Sequence, residues 1–339
     1  MKLYAAADLH SNNNVLVIID EQDRVVYKRR LPNDLSAVLS ALGPYKKDLE
    51  AIAVESTYNW YWLVDGLMAA GYRLKLVNTS AVKMYDGLKH TDDEDDARHL
   101  AHLLRLGILP TGYICPVEER GVRDLLRKRG QLVRCRTAQF LSIQNLVSRN
   151  TGSGLDVKEI RELDDESISR LFEGNSDRAL ALRSNLGVVH CLDEQIDTLE
   201  RAILGRAKLK PVFQKLQTVP GIGKILGLTI MYEAGPMERF PKVGQFASYA
   251  RCVQSSRWSN GKKKDDGNRK NGNKYLAWAF VEAAHFAVRY SERARRFYQR
   301  KKAQKNAAVA VKAVAHKLAR ACYHVLRDQV PFDEELTFA

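Results

Sequence analysis

Asp8 follows three small residues, Ala5, Ala6 and Ala7, at the end of an apolar run, and Glu55 closes a second such run, Ala51–Glu55. A third acidic element is Thr91-Asp92-Asp93-Glu94-Asp95-Asp96-Ala97. Thr91 and Glu94 have capping-box spacing, which predicts a helix with Thr91 as N-cap, continuing through Leu100, Leu103 and Leu104. The macrodipole favours acids in a first turn, but it does not explain so many at once. Asp93 and Asp96 lie on the side that continues through Leu100 and Leu104, whereas Asp92 and Asp95 should point more toward solvent. Asp8, Glu55, Asp93 and Asp96 are together the ingredients of a two-metal phosphoryl-transfer site. Two Mg²⁺ ions roughly 4 Å apart would stabilise the attacking and leaving oxygens of a phosphodiester. Solvated surface acids are the plain alternative.

These acids need a sheet to hold them. Short β-type runs occur at Leu3–Asp8, Val15–Asp20, Val25–Leu31, Ala51–Glu55 and Leu74–Asn78. The first three can form a meander. The last two flank a helical stretch at Trp60–Ala70 that ends at Gly71, the βαβ pattern that demands a parallel pair. The expected fold is a mixed five-stranded sheet with helices, in the order of ribonuclease-H-like folds. If strands one and four are neighbours, Asp8 and Glu55 emerge at one edge, and their repulsion calls for a cation.

The remainder reads as helical. Apolar positions recur at helical spacing from Val117 to Val147, and again from Leu180 to Ile203, with a polar break at Asn150-Thr-Gly-Ser-Gly154 between them. The two runs suit an antiparallel arm or, equally, two helices packed on the first domain; neither keeps a strict heptad. Thr218-Val-Pro-Gly-Ile-Gly-Lys224 then opens an apolar helix at Ile225–Tyr232, in the manner of a helix-hairpin-helix loop. Its backbone N–H groups at Gly221 and Gly223, with Lys224, suit a phosphate. A Lys-rich polar loop spans Ser255–Lys274, and two further helices are expected at Tyr275–Arg289 and Ala307–Leu326. Between those helices, Arg293–Lys305 is dense in cations, among them Arg295, Arg296, Lys301 and Lys302, with Phe297 and Tyr298 inside it. That tract suits phosphates with occasional base stacking; a merely solvated helix face is its alternative.

The 339 residues carry 54 Lys and Arg against 40 Asp and Glu, a formal net charge of +14. Such an excess points to polyanions. The length suits two domains and a connector: 1–114 for the acids, 115–208 for the helical connector and 209–339 for the rest. Five cysteines, scattered and without a Cys-x-x-Cys pair, argue against zinc and against a disulfide framework. The opening MKLYAAADLHSNNNVLVIID turns polar too soon for a signal peptide, and no apolar run approaches membrane-spanning length, so a cytoplasmic protein without membrane contact is expected.

Asp8, Glu55 within Val-Glu-Ser-Thr, and Asp93-x-x-Asp96-Ala97 resemble the DEDD signature of the insertion-sequence one-ten group of transposases. Thr218-Val-Pro-Gly-Ile-Gly, Phe246-Ala-Ser-Tyr249, Ser259-Asn-Gly-Lys262 and Lys270-Asn-Gly-Asn-Lys-Tyr-Leu276 are similar, in order and spacing, to that group's second domain. The resemblance covers nearly the whole chain. It implies an N-terminal domain similar to the Holliday-junction resolvase RuvC and a second, transposase-specific domain, which the helical periodicity makes a helical arm and an all-α C-terminal domain. It further implies that Ser259 is the nucleophile on the DNA phosphate, with Ser255 and Ser256 as nearby rivals. Lys262, Lys263, Lys264, Arg269 and Lys270 would serve phosphate binding around it. The partners implied are donor and target DNA and a structured guide RNA. A homodimer or a dimer of dimers is expected, because joining two duplexes needs several cuts. The competing readings are a metal-dependent, structure-specific DNA nuclease of the resolvase type without a covalent intermediate, and a non-catalytic nucleic-acid-binding protein on a degenerate nuclease fold.

Overall fold

A computed structural model describes residues 1–82, 93–207, 211–253, 257–260, 262–265 and 271–339. The chain divides into two compact units, residues 1–117 with 256–271, and residues 118–255 with 272–339.

In the first unit the strands are β1 (Leu3–Leu9), β2 (Asn13–Ile19), β3 (Val25–Pro32), β4 (Leu49–Glu55) and β5 (Leu74–Val77), in the spatial order β3-β2-β1-β4-β5. β1, β2 and β3 form the antiparallel meander, while β4 lies parallel to β1 and β5 parallel to β4. This is the expected mixed, ribonuclease-H-like sheet. Helices α1 (Leu35–Leu42) and α2 (Tyr61–Ala69) bury Val38, Leu42, Leu63, Val64 and Leu67 against one face, where Ala5, Ala7, Leu16, Ile18, Ile52 and Val54 point. Helix α3 (Asp93–Arg105) covers the other face through Ala97, Leu100 and Ala101, packed on Ala6, Val15, Val17, Ala53 and Val77. Burial on both faces is why the central strands read as near-continuous apolar runs rather than alternating ones.

The polar stretch expected as a loop after Ser255 contains a hairpin, β6 (Arg257–Ser259) and β7 (Lys262–Asp265). Ser259 pairs with Lys262, and Asn260 between them adopts φ +51°, as two-residue hairpin loops require. The dipeptide Asn260-Gly261 was the available signal, hidden in a segment without apolar residues to mark strands.

Among its described residues the second unit is helical. Helices α4 (Val117–Thr151) and α5 (Ser176–Arg206) form an antiparallel arm: Arg129 pairs with Glu200, Arg136 with Asp193, and Asn185 with Ser142. One heptad forward along α4 meets one heptad back along α5. Phe140, Ile143 and Val147 meet Leu182, Leu186 and Val189 in the arm's core, closed at its tip by Ile160, Ile168 and Phe172. At its base Val122, Leu126 and Ile203 pack with Phe213, Leu228 and Tyr232. There follow α6 (Pro211–Leu216), α7 (Lys224–Ala234), α8 (Val243–Tyr249), α9 (Lys274–Tyr290), α10 (Glu292–Gln304) and α11 (Ala307–Arg327). They enclose a core of Phe246, Phe280, Val314, Leu318 and Tyr323.

The C-terminal motifs converge on α9. Gly221 has φ +83°, and a Cβ there would lie 2.3 Å from the Ala283 carbonyl oxygen and 2.7 Å from the Ala287 nitrogen. Only glycine permits both that backbone and that approach. At the helix's other end Asn273 is the N-cap, its side chain accepting from the N–H groups of Tyr275 and Leu276. Its own N–H donates to the Tyr249 carbonyl, and its amide donates to the buried Glu233, which Arg127 grips in a bidentate pair at 2.6 and 2.8 Å. The Phe246-Ala-Ser-Tyr249 and Asn-Gly-Asn motifs are thus joined through main chain.

Candidate catalytic site

Asp8 stands next to last on β1 and Glu55 last on β4. Ala7 pairs with Val54 in the parallel ladder, so one residue further on Asp8 and Glu55 are neighbours at the carboxyl ends of the two strands. Side chains alternate along a strand, and Asp8 shares its side with Ala6, as Glu55 does with Ala53. Ala6 and Ala53 belong to the cluster beneath α3, so both carboxylates are on the face that α3 covers.

The direction of α3 is set by its far end. Asp23, in the β2–β3 turn, accepts from or pairs with His102 at 2.8 Å, Arg105 at 3.5 Å and Arg98 at 3.6 Å. That turn lies at the Tyr4 end of β1, since Tyr4 pairs with Ile19 while Asp8 pairs with Val15. The C-terminal turn of α3 is therefore anchored away from Asp8, and its acidic first turn comes to the edge where Asp8 and Glu55 emerge. Asp96 is half-buried, one residue before the fully buried Ala97. Asp95, expected on the solvent side, is half-buried as well, because the first turn lies close over the sheet. Asp93 begins the helix, with its side chain outside the described residues, as are Thr91 and Asp92.

Asp8 itself is 4% exposed, and its Oδ2 lies 3.4 Å from His10 Nε2. The turn after β1 is tied down by groups that sequence reasoning passed over. The His10 N–H donates to the Asn13 carbonyl, and the His10 carbonyl accepts from Asn33 at 3.0 Å and Asn59 at 2.9 Å. Asn59 in turn accepts from the Thr57 hydroxyl at 2.8 Å. Glu-Ser-Thr-Tyr-Asn thus serves twice: Glu55 supplies the acid, and Thr57 and Asn59 lock the segment after β4 to the turn after β1. The signal was a polar Thr-x-Asn directly after a strand end.

Carboxylate oxygens alone suit a hard divalent cation, and two such groups side by side at low exposure favour one. Among the described residues no group of three or more His, Cys, Asp or Glu is arranged to hold a metal ion.

Ser259 ends β6, with its side chain outside the described residues, and the hairpin groups with the sheet unit. Lys262 is exposed; the side chains of Lys263 and Lys264, and the residues Ser255, Ser256, Arg269 and Lys270, lie outside the described residues. In the second unit Gly223 and Lys224 are exposed where α7 begins, and Gly221 is seated on α9. Arg295 donates to the carbonyls of Val288 and Arg289, closing the end of α9, and Arg296 pairs with Glu292. Lys301 is half-buried and Lys302 exposed. The expectation of base stacking at Phe297 is overturned: at 6% exposure that ring belongs to the helical core, against Phe338. In a tract so rich in cations, the aromatic is the residue that anchors α10. No helix among the described residues is long and apolar enough to cross a membrane.

Two family models match the chain. Residues 5–149 match a transposase model of the DEDD type, and residues 213–299 match the transposase family IS116/IS110/IS902. The chain is 24% identical over 281 residues to the transposase for insertion sequence element IS1111A of Coxiella burnetii, covering 80% of this chain and 74% of that one. It is likewise 24% identical over 282 residues to a probable family 20 transposase of Pseudomonas aeruginosa, covering 80% of each. A sheet with paired acids at one edge, a covering helix that brings its acidic turn there, and two models matched in order along one chain agree: this protein is an enzyme of the IS110 family of transposases.

Proposed function

We propose that this transposase cuts and rejoins DNA with a metal-bound carboxylate site and a serine nucleophile. The observation that carries the reading is the placement of Asp8 and Glu55 side by side, on the face and at the edge where α3 begins. Asp8, Glu55, Asp93 and Asp96 would hold divalent cations, two Mg²⁺ per site. Bound there, they would neutralise charge on the phosphate and favour ionisation of the attacking hydroxyl. The protein's own part is to fix Asp8 through the clamped His10 turn and to present Ser259 on a tight hairpin.

In the cleavage step the Ser259 oxygen bonds to phosphorus as the bond to the leaving strand breaks. The serine proton ends on the departing DNA oxygen. A phosphoserine ester keeps the energy of the broken bond, so transfer to another strand needs no further source. Lys262, Lys263, Lys264, Arg269 and Lys270 would bind phosphates around the hairpin, with Gly221, Gly223, Lys224, Arg296, Lys301 and Lys302 adding contacts in the second unit, while Arg295, turned to the carbonyls of Val288 and Arg289, serves the end of α9 instead. A structured guide RNA would supply sequence choice by pairing with donor and target DNA, within a dimer or a dimer of dimers. In domain terms, residues 1–114 would carry the acids, 115–208 connect and 209–339 supply the serine, on a hairpin that groups with the sheet unit.

The test is denaturing electrophoresis of the protein with end-labelled DNA and Mg²⁺. Wild type is expected to give cleavage and a covalent adduct. Asp8→Asn is expected to lose both, and Ser259→Ala to lose both while still binding DNA. Cleavage without an adduct would replace the serine by water and favour the resolvase-type nuclease; an adduct retained in Ser259→Ala would move the nucleophile.

A further inference from the structure

The base-stacking surface that the sequence placed on α10 has a better candidate on α9. Phe286 and Tyr290 are one helical turn apart, with rings parallel to within 5° and centroids 6.4 Å apart. They are 41% and 69% exposed. Single exposed aromatics are ordinary on a protein surface, but two aligned rings are not two accidents of patterning. Both rings line a cleft of about 700 Å³ together with the segment 217–226, which forms one wall. Gly221, held against the α9 backbone, fixes that wall beside Phe286, whose Cβ is 3.0 Å from where a Gly221 side chain would begin. The cleft is therefore built on rigid elements rather than between mobile ones.

Its charge selects the occupant. Lys224 on the loop is exposed, and the Arg289 guanidinium lies 5.6 Å from the Tyr290 ring centre. The acid lining the cleft, Glu200, is held by Arg129 at 2.7 Å. Aromatic faces framed by cations and a neutralised acid match the alternating base and phosphate of a nucleic acid. A duplex hides its base faces in its own stack, so an unpaired strand is the form that can use these rings.

We propose that Phe286 and Tyr290 form a stacking platform for an unpaired DNA strand, whose phosphates follow Lys224 and the Gly221–Gly223 loop. The proposal rests on the reading of the chain as a DNA strand-transfer enzyme, where a cut or melted duplex supplies such a strand. It needs neither the carboxylates nor Ser259.

The experiment is fluorescence anisotropy of the full chain at fixed salt, with EDTA to prevent cleavage. The labelled probes are a short single-stranded DNA, the duplex of the same sequence and the corresponding RNA. Phe286→Ala with Tyr290→Ala is expected to weaken single-strand DNA binding by about ten-fold or more. Duplex binding should stay unchanged, and Phe286→Tyr with Tyr290→Phe should restore single-strand affinity. A 2-aminopurine in the strand should be quenched by wild type and not by the double alanine variant. Equal loss on strand and duplex, no loss on the strand, or a loss confined to RNA would each overturn the proposal. Failure of the adduct assay would leave this result standing, so the two readings fail separately.

Discussion

At the scale of single residues, neighbours decide what a reactive side chain can do. Asp8 and Glu55 were legible because each ends an apolar run, and a strand end is a fixed place. His10, Thr57 and Asn59 were not, since their bonds join two segments that only the folded sheet brings together. The cysteines show the same dependence. No disulfide joins the five cysteines: Cys115 and Cys322 are buried, Cys252 is half-buried, and Cys135 and Cys191 are exposed on the arm. Burial pushes the Cys252 thiol up to about 12 against a weaker pull from Lys312, and burial also raises Cys322. A thiolate is the reactive form, so these two should be inert near neutral pH. Brief iodoacetamide treatment of the native protein followed by peptide mass mapping is expected to label Cys135 and Cys191 and to spare Cys115, Cys252 and Cys322. Fast labelling of Cys252 would contradict the packing described for it.

Among the elements, the two long helices were visible from periodicity, but not their pairing. Without a strict heptad the sequence left open whether they meet each other or a third surface. The decision falls to charged pairs spaced one heptad apart and to the apolar core at the arm's tip. Asp193 is the centre of this arrangement, accepting from Arg136 and from both terminal nitrogens of Arg161. Burial works against its charge, but the two guanidiniums outweigh that and hold its pKa below the usual carboxylate range. A carboxyl whose folded pKa is depressed contributes stability above its unfolded pKa, and loses it as pH falls through the folded value. Asp193→Asn is therefore expected to cost about 2 kcal/mol near neutral pH, the range for hydrogen bonds to charged groups. Denaturant melts should show the gap between wild type and variant closing as pH drops below about 4. A gap that persists unchanged in acid would assign the loss to packing rather than to charge. The hairpin bearing Ser259 is the opposite case: its turn dipeptide was in view, but alternation was not, so no strand was expected there.

For the whole molecule, charge is the property that composition conveys and local structure redistributes. The excess of 14 positive charges is far too large for the residues of any one site to account for. Some of the cations are engaged within the protein. Arg127 holds Glu233, Arg136 and Arg161 hold Asp193, and Arg295 closes a helix end, so a basic tract in sequence is not by itself a basic surface. What is left for DNA should act mainly through phosphates, because each neutralised phosphate releases condensed counterions and makes affinity fall with salt. The logarithm of the binding constant is expected to fall linearly with the logarithm of salt, by about 10³ or more between 50 and 200 mM if six or more phosphates are engaged. The exposed Lys224, Lys262 and Lys302 are the side chains to remove, since none of them has an acidic partner among the described ion pairs. Their triple replacement by glutamine should lower affinity across DNA sequences alike and flatten the slope by about one unit per lost contact. Arg295→Gln serves as the contrast: its guanidinium already faces the carbonyls of Val288 and Arg289, so it should shift the melting temperature more than the slope. If Arg295→Gln flattened the slope as much as the lysine variant does, the division between cations that hold the fold and cations that hold DNA would be wrong.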